Sequence, residues 1–349
     1  MKNLKKHLIL LAVLCITPLI LIGTIIYIID PFFMYHKPLA GWNYLIDNQL
    51  EQNPGIAKHF EYDSVMLGSS MTTNFDTNLF NEKLDTEMVK LSYNAAYPAD
   101  IDTIMKIVTD EKQSLEYAYL CIDIANYMRE PGTLSHVYPK HLYDKNPFND
   151  LKYLLNKDVL LTYVVGNYVK KENTPINEIY WHWPYMVYDR AHVLSGYNAP
   201  EMVGSAEQAE SVYTLENLKT NLETYIIPYI ESMPDTQWNI FFPPYSMLYW
   251  YDATAAGEAE RRIDGIAYIT ERLGAYDNVR IHYFQNMEEW ISDLNNYTDA
   301  THFSKQITDD MTDRLCSGTN EVDLTNYKEH LETFKDFVRN FDYEAFVTP

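Results

Sequence analysis

Apolar residues along the chain fall into short runs that predict buried strands. Five such runs are bounded by polar or turn-forming residues, and they lie at 63–67, 87–91, 117–122, 238–242 and 278–284. Runs of this length are typical of strands that are covered on both faces. The sequence therefore predicts a sheet whose strands are spread from residue 63 to residue 284.

Between and after these strands, apolar residues recur at helical spacing. One stretch follows Pro98, with Asp100 as its predicted N-terminal cap, and another begins at the cap Ser304 and ends at Gly318. Two more stretches have one apolar face each, formed by Ile263, Ile266, Ala267 and Leu273 and by Tyr327, Leu331, Phe334, Val338 and Phe341. Strands separated by helices pair in parallel through right-handed crossovers, so the pattern predicts an α/β fold with three α/β/α layers.

The strand pattern stops between residues 127 and 236, which we interpret as a mainly helical insertion. This stretch contains a predicted helix over 215–226 and an aromatic cluster at 180–185. We expect the insertion beside the carboxyl edge of the sheet, where open α/β folds bind ligands. Its Trp181, Trp183 and Tyr185 either pack in a core or lid, or form a platform for sugars. The sheet domain then spans 62–320, and residues 321–349 add a C-terminal helix that packs on it.

The longest apolar run lies at the N-terminus and predicts a membrane anchor. Residues 8–29 carry no charge and are about long enough to cross a ~30 Å hydrocarbon core. A cleaved signal peptide has a shorter core and a small-residue cleavage site, which is missing after residue 29. Lys2, Lys5 and Lys6 precede the run, which places the N-terminus in the cytoplasm. We therefore expect residues 1–29 to form a basic tip and an uncleaved single-pass anchor.

Everything from Asp30 onward is then extracytoplasmic. Residues 30–61 predict an irregular stalk, because Pro31, Pro38, Pro54 and Gly55 interrupt any regular pattern. All 49 acidic residues lie after the anchor, so the external part is strongly anionic. The overall charge therefore repels an anionic surface polymer, and such a polymer must be recognised by a local group of residues.

Composition narrows the function classes. The 349 residues are 47% apolar, which is ample for a packed core, and the formal net charge is −22. Such acidity argues against a nucleic acid partner, because neutralising phosphates requires clustered Lys and Arg. Three cysteines are too few for a disulfide framework, and Cys121, which lies in an apolar run, is expected to be a buried free thiol.

Two short segments carry candidate chemistry, and both are predicted at the carboxyl edge of the sheet. In the first, a strand leads into Gly68, Ser69 and Ser70 and then into a helical turn, whose N–H groups suit an oxyanion. In the second, Asp299 and His302 precede the helix that Ser304 caps. An Asp three residues before a His can fix the tautomer of the ring and leave its other nitrogen free to act as a base.

The motifs of several other classes of site do not occur. The sequence lacks a GxGxxG fingerprint, a P-loop, an HExxH motif and a GxSxG elbow. His136, His141 and His182 have no carboxylate or Cys neighbours at metal-ligand spacing. We therefore expect no metal site and no cofactor.

The two segments resemble the first and last blocks of the SGNH (GDSL-like) hydrolase family. The first block corresponds to residues 68–72 and implies that Ser70 is the nucleophile. The last block implies that His302 is the base and that Asp299 orients it. The resemblance covers about 63–126 and 238–315, and it implies a flavodoxin-like sheet of the SGNH hydrolase type.

The family's middle blocks supply donors to the oxyanion. The second block resembles residues 94–99 and places Ala99 where the family has a donor glycine. The third block, usually G-x-N-D, is reduced to residues 124–126 and implies Asn126 as a side-chain donor. With the Ser70 backbone N–H, these two residues complete the implied oxyanion hole.

The anchor together with the Gly-Ser-Ser segment resembles a membrane-anchored branch of the family. Its members serve teichoic-acid D-alanyl transfer and polysaccharide O-acetylation. The resemblance implies a serine esterase or O-acyltransferase acting on an acylated surface polysaccharide or a teichoic-acid-like polymer, beside a membrane-bound O-acyltransferase. The competing interpretation is a non-catalytic scaffold in a complex that modifies surface polymers.

Four alternatives stay open at the level of individual residues. Ser69, rather than Ser70, is the exposed serine in one of them. In a second, Asp299 only caps a turn, and in a third Asn126 only bonds the backbone at the end of a strand. In the fourth, Asp123 forms a structural ion pair with Arg129 instead of touching the substrate.

Overall fold

The computed structural model describes residues 2–112, 114–180, 186–200 and 212–348. The chain divides into two units. The first consists of Met1–Glu61 and Val137–Pro175, and the second of Tyr62–His136 and Ile176–Pro349. The predicted insertion is thus shared between the units. The predicted aromatic residues Trp181, His182, Trp183 and Tyr185 lie outside the described residues.

The second unit is built on a six-stranded sheet, as far as the described residues show. In chain order its strands β1 to β6 are Ser64–Leu67, Met88–Lys90, Tyr117–Cys121, Gln237–Phe242, Val279–Tyr283 and Glu321–Val322. Their order across the sheet is β2-β1-β3-β4-β5-β6; the first five pair in parallel, and β6 runs antiparallel to β5. The α/β class and all five predicted strands are confirmed, each within a residue of its predicted bounds.

The helices are numbered α1 to α17 in chain order. The first nine are Lys2–Ile29, Gln49–His59, Thr77–Leu84, Pro98–Glu111, Ile124–Tyr127, Lys140–Tyr143, Leu151–Leu154, Asn167–Lys170 and Arg190–Gly196. The others are Leu215–Tyr225, Ile227–Ser232, Met247–Ala255, Ala259–Leu273, Glu288–Ile291, Lys305–Ser317, Tyr327–Asn340 and Tyr343–Val347. Short 3₁₀ turns lie at Ser70–Thr72, Ile176–Glu178 and Leu294–Asn296, and Val159–Gly166 is a π-helix.

The predicted helices of the second unit are confirmed as α4, α10, α13, α15 and α16. Helix α15 begins after Ser304 and ends at Gly318, whose φ of 72° suits the left-handed end of a helix. The prediction for Asp100 is wrong in one respect, because Tyr97 holds the N-cap position of α4. Asp100 lies in the first turn, where its carboxylate accepts the Tyr97 N–H at 2.7 Å.

The carboxyl ends of the parallel strands share one edge of the sheet. Leu67 of β1 pairs with Leu120 of β3, and Cys121 of β3 pairs with Phe241 of β4. Cys121 is a buried free thiol, as predicted. The loops that follow these strands therefore emerge side by side, and the candidate site lies among them.

Helix α1 of the first unit is the predicted apolar N-terminal helix. Its segment Leu4–Ile29 has a mean hydropathy of 2.8 and is long enough to cross a membrane. Immediately after it, the buried Asp30 accepts hydrogen bonds from the N–H groups of Met34 and Tyr35 at 2.9 and 2.7 Å. The Tyr153 hydroxyl donates to the same carboxylate at 2.9 Å.

The structure differs from the predicted irregular stalk over residues 30–61. Helix α2 occupies Gln49–His59, and the Asn48 side chain caps it by accepting from the Glu51 N–H. Gly55 was expected to interrupt regular structure, but it lies within α2 and packs against the backbone of Phe32. A Cβ atom on Gly55 would lie 1.9 Å from the Phe32 carbonyl oxygen, so only glycine admits this approach of two backbones.

Candidate active site

Ser70 is placed by a tight turn at the end of β1. Gly68 has a φ of +151°, and a Cβ atom there would lie 2.8 Å from Thr72 Cγ2 and 2.9 Å from Cys121 Cβ. Glycine is therefore required at this position. Ser70 opens the 3₁₀ turn that follows, and N–H groups in a first helical turn have no acceptor within their own helix.

The two neighbouring serines have different surroundings. Ser69 is buried, and its hydroxyl oxygen accepts the Met71 N–H at 3.2 Å as the cap of the turn. Ser70 is partly exposed, and its Oγ lies 2.9 Å from His302 Nε2. Of the two, Ser70 is the serine that contacts the predicted base.

Asp299 and His302 form a pair in the loop before α15. Asp299 Oδ2 lies 2.6 Å from His302 Nδ1, while Oδ1 accepts the backbone N–H groups of Thr301 and His302 at 2.8 Å each. Asp299 thus caps the turn and orients the ring at the same time. With the Nδ1 proton held by Asp299, Nε2 is the nitrogen that can accept a proton from Ser70.

Charge and hydrogen bonding keep Asp299 ionised. Burial alone would raise its pKa, but the hydrogen bond and charge of His302 and the two backbone N–H groups outweigh burial and lower the pKa to about 2. An ionised carboxylate at Nδ1 accepts the proton of that nitrogen and fixes the orientation of the ring. The pair is therefore suited to take a proton from a nearby hydroxyl.

Two hydrogen bonds, one of them fully buried, hold the Asp299 loop against the segment that follows β4. Ser246 Oγ donates to the Ala300 carbonyl at 2.7 Å, and the buried Tyr297 hydroxyl donates to the Pro244 carbonyl at 2.6 Å. Neither Ser246 nor Tyr297 was predicted. Each contact joins residues more than fifty positions apart, and no local pattern in the sequence signals it.

Asp123 is a second carboxylate near the site. It follows β3 and is buried, and the Ser69 side chain hydrogen-bonds to it. Burial raises its pKa to about 6, although the Ser69 hydrogen bond and the charge of His302 act in the opposite direction. Asp123 therefore titrates closer to neutrality than an ordinary aspartate does.

The ion pair between Asp123 and Arg129, one of the open alternatives, is absent from the described residues. Arg129 instead donates to the Tyr213 hydroxyl at 2.8 Å, and its guanidinium lies over the rings of Tyr97 and Tyr213. Burial of Asp123 is accommodated through Ser69 and a raised pKa rather than through a cation.

The residues implied as oxyanion donors lie in the turn and the two helices that follow β1, β2 and β3. The Tyr93 N–H, after β2, donates to the Gly68 carbonyl at 3.1 Å, so this loop runs along the Gly68 turn. Ala99 is the second residue of α4, and its N–H belongs to a first helical turn. Asn126 lies in α5, and its amide donates to the Ala96 carbonyl at 3.1 Å. That bond uses one of the two amide hydrogens and leaves the second for a ligand.

Lys90 supports the segment that follows Ser70. It lies on β2, is fully buried, and donates from Nζ to the carbonyl oxygens of Thr73 and Phe75 at 2.9 Å each. The Thr73 N–H and hydroxyl in turn donate to the Ser70 carbonyl. Burial lowers the pKa of Lys90 to about 7. The apolar run at 87–91 predicted the strand but not this function of its only lysine.

Comparison with known proteins adds no assignment to this site. The sequence matches no protein-family model, and no curated protein is significantly similar to it. Any function therefore has to be argued from the geometry of Ser70, His302 and Asp299 and from the chemistry of their surroundings.

Proposed function

We propose that this chain is a membrane-anchored serine esterase or O-acyltransferase. The observation that carries the proposal is the continuous contact from Ser70 Oγ to His302 Nε2, at 2.9 Å, and from His302 Nδ1 to Asp299, at 2.6 Å. Both distances fall in the range for a nucleophile activated by an oriented base. A turn that only capped a helix would not need a histidine ring between the carboxylate and a serine.

In the proposed reaction, Ser70 Oγ attacks the carbonyl carbon of an acyl ester while His302 Nε2 takes its proton. Asp299 stabilises the imidazolium that forms. The oxyanion accepts hydrogen bonds from the N–H groups of Ser70 and Ala99 and from the Asn126 amide. Collapse of the intermediate expels the alcohol, which takes the proton from His302 and leaves an acyl group on Ser70.

The second half of the reaction removes the acyl group. Water or a sugar hydroxyl gives its proton to His302 and attacks the acyl carbonyl carbon. The bond to Ser70 Oγ then breaks, and Oγ takes the proton back from His302. Attack by water makes the protein an esterase, and attack by a sugar hydroxyl makes it an acyltransferase.

The fold proposed here is the three-layer, flavodoxin-like arrangement of SGNH hydrolases. Its support is the order β2-β1-β3-β4-β5 of the parallel strands, which is the flavodoxin-like order of doubly wound sheets. Ser70 follows the first strand, and the Asp299 pair follows the last parallel strand. In that arrangement both segments lie at the ligand-binding edge.

The proposed location is the outer face of a cell membrane. Helix α1 supplies the anchor, and the lysines before it favour a cytoplasmic N-terminus. The substrate class that suits this location is an acylated surface polysaccharide or a teichoic-acid-like polymer. A membrane-bound O-acyltransferase is the proposed source of its acyl groups.

A fluorophosphonate probe tests the proposal, because it reacts with activated serines. We expect the full chain in detergent to be labelled, Ser70→Ala to abolish labelling, and Ser317→Ala, at an exposed helix end, to leave it unchanged. Ser70 buries little apolar surface, so all three proteins should melt alike. A folded wild-type chain that takes no label would contradict the enzyme and favour the non-catalytic scaffold.

A further inference from the structure

The first unit has an apolar surface outside α1. Large apolar side chains are exposed through residues 148–169, and Phe148 and Val169 are 88% and 73% accessible. We call this surface the apolar face; its principal members are Phe148, Leu151, Leu161, Val165, Tyr168 and Val169. Exposed apolar side chains concentrated in one segment of a folded protein point to an interaction site.

The apolar face continues onto α1. A groove of about 360 Å³ lies between Ile20, Gly23 and Tyr27 of α1 and Leu151 and Leu155 beyond it. Gly23 lies close to the far wall of the groove, since a Cβ atom there would lie 3.7 Å from the Leu154 carbonyl oxygen, an ordinary contact distance. Below the groove, Ile26 shares a buried core with Tyr153 and Val164. These contacts place residues 151–164 beside the C-terminal third of α1.

The length of α1 fixes the depth of this contact. About 20 residues are needed to cross the hydrocarbon core, and the uncharged stretch 8–29 has 22, so only about two can project beyond it. Gly23 lies six residues before Ile29, which corresponds to roughly 9 Å along the helix axis. The side chains packed at Gly23 therefore lie at the depth of the outer leaflet.

Charge and aromatic residues at the edge of the apolar face agree with this depth. Residues 137–171 contain six lysines and three aspartates, so they are net basic in a chain whose net charge is −22. Lysines near a bilayer surface are attracted to anionic headgroups. Trp42 and Tyr168 stack with ring centroids 5.8 Å apart, and such rings concentrate at membrane interfaces.

We propose that the apolar face is inserted in the outer leaflet, where lipid acyl chains cover it and anionic headgroups contact the surrounding lysines. The first unit is then a membrane-bound module that contributes α1 and the apolar side chains of 148–169 to the bilayer, while the charged side chains of that segment stay at the headgroups. This inference rests on the anchor in the proposed function and is independent of the esterase chemistry.

The test uses the full wild-type chain in vesicles of phosphatidylcholine and phosphatidylglycerol. An iodophenyl diazirine that partitions into the bilayer is photolysed, and labelled peptides are mapped by mass spectrometry. We expect label in α1 and in 148–169 and none around Leu324, which is 47% exposed in the second unit. Two variants extend the test. Val165→Glu should reduce labelling of 148–169 at least several-fold, whereas Leu324→Glu should not.

The outcomes separate the two proposals. Label in α1 without label in 148–169 would overturn the inserted face and leave the anchor intact. Absence of label from both would contradict the anchor itself. Labelling of 148–169 in pure lipid, but protection of it in native membranes, would overturn the lipid assignment and show that a membrane protein covers the face. None of these readings depends on activity at Ser70.

Discussion

Asp299 has two tasks that a single substitution can separate. One carboxylate oxygen caps the turn through the N–H groups of Thr301 and His302, and the other contacts the ring. Asp299→Asn keeps an oxygen for the turn but removes the charge that stabilises the imidazolium. We therefore expect normal melting and a loss of turnover approaching ~10⁴-fold on an activated acyl ester, by analogy with serine proteases.

A matched variant is Asp323→Asn, since Asp323 is an exposed turn cap that bonds Thr325. It should keep full turnover. If Asp299→Asn turned over substrate as fast as Asp323→Asn does, the base-orienting role would be excluded, whatever the result at Ser70.

Asp123 is expected to make stability depend on pH. Its pKa is raised from 3.8 to about 6 in the folded chain, so the folded state binds its proton more tightly than the unfolded state does. Its contribution is therefore most favourable below pH 4 and is lost as pH rises through 6, by about 3 kcal/mol in all. Asp123→Asn stays neutral and should not show this loss.

The measurement compares unfolding of the wild type and Asp123→Asn in detergent at pH 4 and pH 7. Relative to the wild type, the variant should gain stability as the pH is raised, because only the wild type has to ionise a buried carboxyl group. Stability curves that run parallel across this range would show that the carboxyl titrates normally.

At the scale of elements, Lys90 ties strand β2 to the turn that carries Ser70. Lys90→Met keeps most of the side-chain length but removes the donor shared by the Thr73 and Phe75 carbonyls. Leaving buried acceptors unpaired costs about 1–3 kcal/mol each. We expect a clearly lower melting temperature, together with slower fluorophosphonate labelling of Ser70.

Lys106 offers a control on α4, because it is exposed and pairs with Asp102 one turn away. The free energy of unfolding of Lys106→Met should lie within about 0.5 kcal/mol of that of the wild type. Equal melting of the two variants would mean that the Lys90 hydrogen bonds contribute nothing to the turn.

Elements with a strong local pattern could be predicted, and those that depend on distant partners could not. The five parallel strands are short apolar runs, and α15 has both a Ser cap and a terminal glycine. Strand β6 was missed because its two residues are too few to show a period. Helix α2 was missed because Gly55 permits a close approach to Phe32, which the sequence does not reveal.

The same distinction applies to the candidate site. Ser70, Asp299 and His302 could be predicted because each lies in a short segment with its own signal, at a strand end or before a helix cap. Three supporting contacts could not be predicted, those of Asp123 with Ser69, of Ser246 with Ala300 and of Lys90 with Thr73, because the partners are distant in sequence and meet only after folding.

At the scale of the whole molecule, α1 is part of a folded unit as well as the proposed anchor. Ile26 is buried in the core that includes Phe32 and Tyr153, and Ile22 packs against it. We expect a chain that begins at Asp30 to lose order in the first unit, so that limited proteolysis cuts within 137–175. The second unit has its own sheet and should resist.

The control is a chain that begins at Leu19, which keeps the buried part of α1 and removes most of the exposed part. In detergent it should resist proteolysis as the full chain does. Resistance of 137–175 in the chain that begins at Asp30 would show that α1 contributes no packing.

The burial of Ile26 also limits how the sequence of α1 can vary between related proteins. Most side chains of α1 are exposed in the part of the chain that the structure describes, and any apolar residue of similar length is suitable there. The side that carries Ile22, Ile26 and Ile29 is different, because it is fitted in shape to residues of the first unit. A span transplanted from another membrane protein would hold the chain at the bilayer and still leave a hole beside Phe32 and Tyr153. Amino-acid substitutions in α1 should therefore be distributed unevenly around the helix. They should be frequent on its exposed side and rare on the side that packs against the first unit.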